Sequence, residues 1–134
     1  MNAVWPLLVR ESVGVDMLEW KKARAFYKAH REKLATFLCP AETGYVQSSH
    51  RPYESLAMIL SAKEAVFKAI GVSWMGISGF ERIQILPGKN RFSFRLKGIF
   101  SKKFSRKNPL EISFTKHRLY VVAHCHPKLP CAGI

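Results

Sequence analysis

The sequence predicts an α+β fold, a mainly antiparallel sheet packed against a long central helix, on three observations. A helical run from Pro52 to Ile70 is apolar around most of its circumference. Two pairs of strand-like runs follow it: Phe80 to Leu86 with Arg91 to Lys97, and Leu110 to Thr115 with Leu119 to Cys125. A single alternating segment, Val13 to Met17, precedes it. The chain has 134 residues, 48% of them hydrophobic, enough for one hydrophobic core and hence one domain, 1–134.

In Val13-Gly14-Val15-Asp16-Met17 apolar residues alternate with small or polar ones, the period of a strand. This pattern predicts Val13, Val15 and Met17 on the core side and Asp16 facing the other way. Leu18 to Leu34 reads as a helix with Trp20, Ala23, Tyr27 and Leu34 on one side. Lys21, Arg24, Lys28 and Arg31 form a basic stripe beside them, balanced locally only by Glu19 and Glu32. Such a stripe is either a solvated face or a docking surface for something acidic. Cys39-Pro40-Ala41-Glu42 opens a short helix through Val46, with proline suited to its first turn. Gln47 to Pro52 is a polar connector.

At about 100° per residue the Pro52 to Ile70 helix puts Leu56, Ile59, Leu60, Val66, Phe67 and Ile70 on one arc. Met58, Ala62, Ala65 and Ala69 make a second arc of mostly small residues. Ser61, Glu64 and Lys68 form a narrow polar stripe between them, and Lys63 projects from the large apolar arc. Burying Glu and Lys costs several kcal/mol unless each is paired or bound to something. Glu64 and Lys68 therefore make either an ordinary i, i+4 ion pair or part of a site.

After Ile70, glycines at 71, 76 and 79 mark a loop passing close to other backbone. Pro87-Gly88-Lys89-Asn90 is a hairpin turn, and Lys116-His117-Arg118 turns the second hairpin. Gly98 to Lys107 gathers Lys102, Lys103, Arg106 and Lys107 around Phe100 and Phe104, and the tail from about Pro127 is irregular.

Twenty-two Lys and Arg against nine Asp and Glu give a net charge of +13, which calls for an anionic partner or ligand. Three widely spaced cysteines, 39, 125 and 131, argue against a disulfide framework and for a reducing cytosol. The apolar stretch Val4 to Val9 is too short for a membrane span and lacks the features of a secretory signal, so no membrane association and a cytoplasmic location are expected. The Lys102 to Lys107 cluster suits a nucleic-acid backbone, but no nucleic-acid motif accompanies it. His124 and His126 share a strand face without a third and fourth metal ligand nearby in sequence, and Cys125 opposite them reads as a buried small hydrophobe.

Asp16 and Glu64, with Lys63 and Lys68 beside the second acid, are two carboxylates and two ammonium groups on regular elements. Two carboxylates suit Mg²⁺, which completes its octahedron with waters and phosphate oxygens, while lysines neutralise phosphate. Spacing alone leaves the acids open to a purely structural role.

Val13-Gly14-Val15-Asp16-Met17-Leu18-Glu19 resembles the Gly-hydrophobic-Asp-x-x-Glu motif of the 4′-phosphopantetheinyl transferases. Ala62-Lys63-Glu64-Ala65-x-x-Lys68-Ala69 resembles that family's second motif. The interval between them, the Pro40-Ala41-Glu42 segment and the closing hairpin extend the resemblance over Val13 to Cys125, and Glu19, three residues after Asp16, matches the short holo-acyl-carrier-protein synthase type. The resemblance implies the phosphopantetheinyl transferase fold. It also implies transfer of the 4′-phosphopantetheine arm of coenzyme A to a serine of an acidic acyl or peptidyl carrier protein, releasing 3′,5′-ADP. It implies Mg²⁺ held by Asp16 and Glu64, with Glu64 assisting deprotonation of the serine through water and Lys68 stabilising charge on the transferred phosphate. Lys63, Lys68 and Lys116 become coenzyme A-binding residues, Lys63 contacting phosphate or ordering Glu64. Lys21, Lys22, Arg24 and Lys28 become the carrier-docking face, and the short type implies a homotrimer. The chain departs from the family at Ile59-Leu60, where an Arg-Phe is usual, at Gly71-Val72-Ser73, where Gly-Thr-Gly is usual, and at Lys116, which stands in place of a histidine. A non-catalytic relative that binds carrier or coenzyme, and a basic nucleic-acid-binding module, are the alternative readings.

Overall fold

The computed structural model describes residues 13–70, 82–88, 91–97 and 110–127. In chain order its elements are β1 (Gly14–Glu19), α1 (Trp20–His30), a 3-10 stretch (Arg31–Thr36), α2 (Pro40–Gln47), α3 (Pro52–Ile70), β2 (Ile83–Leu86), β3 (Ser93–Leu96), β4 (Leu110–Lys116) and β5 (Tyr120–Pro127). The N-terminal apolar stretch, the glycine-marked loop after Ile70, the turn residues Lys89 and Asn90, the basic cluster from Gly98 to Lys107 and the tail beyond Pro127 lie outside the described residues.

The α+β architecture is as the sequence predicts. β1, β5 and β4 form an antiparallel sheet in that order, and β2 and β3 form a separate antiparallel pair. Phe92, just before β3, bridges to Ile112 of β4 and links the two. The apolar arcs of α3 account for its placement: Leu56, Ile59, Val66 and Phe67 on one side and Met58, Ala62, Ala65 and Ala69 on the other are all buried. Each large side chain among them contributes about 1.5–3 kcal/mol by leaving water. Against this helix lie Val121, Ala123 and Cys125 of β5, all fully buried.

β1 corrects the expected orientation. Val13, Val15 and Met17 are 53%, 44% and 57% exposed, so they lie on the outer face of the sheet, and Gly14, Asp16 and Leu18 face α3. The reason is backbone proximity. A Cβ on Gly14 would overlap the Ala65 carbonyl oxygen and come within 2.6 Å of the Ala69 amide nitrogen. Only glycine permits that approach, so the face containing Gly14 turns inward whatever the hydrophobicity of the other.

The strand also runs further than its apolar alternation, through Glu19 paired with Tyr120, and the helix begins at Trp20 rather than Leu18. Two bonds hold the junction: the Trp20 amide donates to the Leu119 carbonyl at 3.0 Å and the Trp20 indole N–H to the His117 carbonyl at 2.8 Å. The helix expected to reach Leu34 ends at His30, and a 3-10 stretch with a kink at Lys33 carries the chain on. Ala23 and Leu34 are buried as their spacing predicts, and Trp20 and Tyr27 pack partly against the same core.

Gly14→Ala is expected to destabilise the protein by about 3 kcal/mol or more, the upper end of overpacking costs, because the obstructing atoms are backbone. Urea unfolding followed by circular dichroism measures this; a variant with the wild-type midpoint would disprove the close-contact account.

Candidate active site

Pairing of Asp16 with Ala123 in the β1–β5 register and the contact at Gly14 place Asp16 over the last turns of α3. Lys68 reaches it from the helix: its ammonium lies 3.3 Å from Asp16 Oδ1 and donates to the Val15 carbonyl at 3.0 Å. Glu64, one turn earlier, is half-buried on the same side. Lys68 therefore closes on Asp16 across the interface rather than forming the i, i+4 ion pair with Glu64 that helix spacing allows.

Two carboxylates and one ammonium leave the cluster net negative. Burial raises the Asp16 carboxyl above its ordinary range, partly opposed by the hydrogen bond and charge of Lys68. Burial also raises Glu64, the negative charge of Asp16 raises it further, and Lys68 opposes both. The effect of Asp16 on Glu64 makes the two acids electrostatic neighbours. A half-buried pair of like charges short of one counter-charge favours a cation, and hard carboxylate oxygens suit Mg²⁺. Among the described residues no group of three or more His, Cys, Asp or Glu is gathered for a metal.

Of the two roles expected of Lys63, contact with phosphate does not fit its placement. Its side chain is 1% exposed and its ammonium lies 3.1 Å from Glu42 Oε2, itself fully buried. Lying about 100° around the helix from Glu64, it enters the core instead of the phosphate side. Glu42 of α2 also accepts the Cys39 amide at 2.8 Å and the Ile85 amide at 2.6 Å. Sequence reasoning missed Glu42 as more than a first-turn acid. The available signal was Lys63 itself, since a lysine on an apolar arc requires a buried counter-charge.

Lys116 is exposed at the end of β4, where it pairs with Val121 of β5. It borders a cavity of about 450 Å³ with Ser49, His50, Arg51 and Tyr45, residues that the sequence marked only as a polar connector and its flank. The position of the usual family arginine, Ile59, is fully buried. On α1, Lys21, Lys22, Arg24 and Lys28 are all exposed, with Lys22 3.4 Å from Glu19 and Arg24 over the Tyr53 ring at 5.9 Å. His124 and His126 lie on the outer sheet face, their rings 3.4 Å from the Thr115 hydroxyl and 3.2 Å from the Ser113 hydroxyl. Cys125, opposite them, is buried, which pushes its thiol up to about 12.

The profile of the 4′-phosphopantetheinyl transferase superfamily matches residues 12–125. A holo-[acyl-carrier-protein] synthase of Chloroherpeton thalassium is 30% identical over 117 residues, covering 86% of this chain and 97% of that protein. That of Moorella thermoacetica is 39% identical over 72 residues, 54% of this chain, and the match spans 56% of the relative's length. Among solved structures, the Helicobacter pylori holo-[acyl-carrier-protein] synthase in complex with coenzyme A superposes with a TM-score of 0.71 over 87% of this chain and 99% of that one, at 23% identity. At that identity the likeness establishes the fold.

Because the Glu64 carboxyl is raised in the folded state, folding favours its protonated form. Its contribution to stability is present below the unfolded value and lost as pH rises through the folded one. Glu64→Gln is therefore expected to melt above the wild type at pH 7, with the gap closing as the pH falls below the ordinary carboxylate range. Thermal melts across that range test this, and a variant less stable at neutral pH would refute it.

Proposed function

The chain belongs to the 4′-phosphopantetheinyl transferase superfamily, and on that premise we propose that it is a holo-acyl-carrier-protein synthase, acting as one domain. It transfers the 4′-phosphopantetheine arm of coenzyme A to a serine of an apo acyl or peptidyl carrier protein and releases 3′,5′-ADP. The observation that carries this reading is the meeting of Asp16, Glu64 and Lys68 across the β1–α3 contact. In the reaction the serine oxygen attacks the phosphorus attached to the pantetheine arm, the bridging P–O bond breaks, and 3′,5′-ADP leaves.

Asp16 and Glu64 would hold Mg²⁺, which when bound supplies charge neutralisation at the pyrophosphate. Glu64 takes up the serine proton through a water. Lys68 offers its ammonium to the transferred phosphate from a position beside Asp16. Lys116, with His50 and Arg51 along the same cavity wall, gives the rest of the coenzyme a basic surface.

The surface and the family resemblance support a partner and an assembly. The exposed α1 residues Lys21, Lys22, Arg24 and Lys28 suit an acidic carrier. Val13, Val15, Met17 and Leu119 are large apolar side chains left open to solvent, which association between copies would cover; the homotrimer that the resemblance to the short type implies is observable as three times the chain mass by light scattering. No helix among the described residues is long and apolar enough to cross a membrane, and the proposed location is cytoplasmic.

Incubation with coenzyme A, Mg²⁺ and apo carrier proteins is expected to add the mass of the arm to a carrier, with chelator suppressing the gain. Asp16→Ala and Glu64→Ala are each expected to slow transfer by about 10²-fold or more, the scale of losing a key electrostatic contact at a reacting centre. Arg24→Glu is expected to raise KM for the carrier with kcat retained, an effect that fades with added salt. Absence of modification on every carrier tried, or full rates in both acid variants, would overturn the proposal.

A further inference from the structure

Consecutive residues of α3 carry charges to opposite tasks. Glu64 faces β1 and Asp16, while Lys63 enters the core and meets Glu42 at 3.1 Å. The Glu42 carboxylate is fully engaged: Oε1 accepts the Cys39 amide, and Oε2 accepts both the Ile85 amide and the Lys63 ammonium. One carboxylate thus joins the start of α2, the middle of β2 and the turn of α3 that presents Glu64.

The two amide hydrogen bonds give Glu42 a stabilising role of its own, but stability does not account for its pairing with Lys63, because a buried ion pair replaced by apolar residues of similar volume is often as stable or more so. What a charge pair adds is direction. The apolar arcs of α3 supply non-directional contacts that a slightly rotated helix would satisfy nearly as well. Packing alone does not wedge the pair either, since a cavity of about 200 Å³ borders Glu42 and Lys63 beside Cys39 and Gln84. A rotation of roughly 20° would move a carboxylate carried roughly 6 Å from the helix axis by roughly 2 Å. Reacting groups need placement to about 0.5 Å.

We infer that Glu42, acting through Lys63, is a positioning residue that sets the rotation of α3 and thereby the placement of Glu64 against Asp16. This rests on the proposal that those two acids serve the transfer reaction. Glu42 touches neither substrate nor metal in this scheme; its effect reaches the chemistry through the helix.

The test is the double variant Glu42→Met/Lys63→Met, which keeps volume and removes both charges together. Its melting temperature is expected to fall by about 5–15 °C, because the Cys39 and Ile85 amides lose their acceptor. Its kcat is expected to fall about tenfold or more while KM for coenzyme A stays within about threefold. In crystals its Glu64 carboxylate is expected to stand more than about 0.5 Å from its wild-type position relative to Asp16. A folded double variant with wild-type kcat, or one whose whole loss lies in KM, overturns the inference and leaves the pair merely structural. If the double variant does not fold, Glu42→Gln decides: a folded protein with kcat lowered about tenfold at constant KM supports the positioning role, and wild-type kcat refutes it. A wild-type protein that modifies no carrier counts against the transfer reading instead. In that case the crystal position of Glu64 in whichever of the two variants folds is the criterion, and an unchanged placement against Asp16 overturns the inference.

Discussion

Gly14 lets the backbone of β1 lie directly on the backbone of α3, with the Ala65 carbonyl and the Ala69 amide occupying the space any side chain would need. The rest of the molecule is arranged around that contact. It requires small residues on the facing arc of the helix, and Ala62, Ala65 and Ala69 are there. It turns Asp16, two residues on, toward Lys68 and Glu64. It also consigns Val13, Val15 and Met17 to the outer face, where their exposure is a consequence of which face had to be buried. A strand and a helix held at backbone contact cannot slide independently, so the acids they carry are presented on a stiff frame.

The charges of α3 illustrate how a nearly all-buried helix disposes of polar groups. Lys63 is neutralised in the core by Glu42, and Lys68 is shared between Asp16 and the Val15 carbonyl. Glu64 alone is left with burial and a like charge as its main influences, both unfavourable to its ionised form. A group held against its own ionisation carries a stability cost, and perturbed acids in a cluster of this kind make it a candidate functional site. The net negative cluster is more conspicuous for lying in a chain of net charge +13, whose basic residues include the exposed face of α1 and the wall around Lys116.

Much of this was legible in the sequence. The span and both arcs of α3, the hairpins, the short helix starting at Pro40 and the choice of Asp16, Glu64 and Lys68 as candidate site residues rest on periodicity, turn residues and motif spacing. Lys63 was legible as an anomaly, a charge on an apolar arc, but its partner was not. Glu42 lies in another helix across a connector, and no local pattern says which of nine acids in the chain comes to face a given lysine.

The sequence by itself determined which residues share a face, because side-chain period follows directly from backbone geometry. Only the tertiary structure decided which of two faces is buried and which charges meet, because those outcomes depend on contacts between distant segments. In β1 the hydrophobic alternation named the wrong face, since the energy of burying three apolar side chains yields to the steric demand of a backbone that only glycine can pass. In α3 the i, i+4 pair of Glu64 and Lys68 gave way to a cross-element contact with Asp16, since a half-buried carboxylate facing the helix gains more from the ammonium than a neighbour on the same surface does.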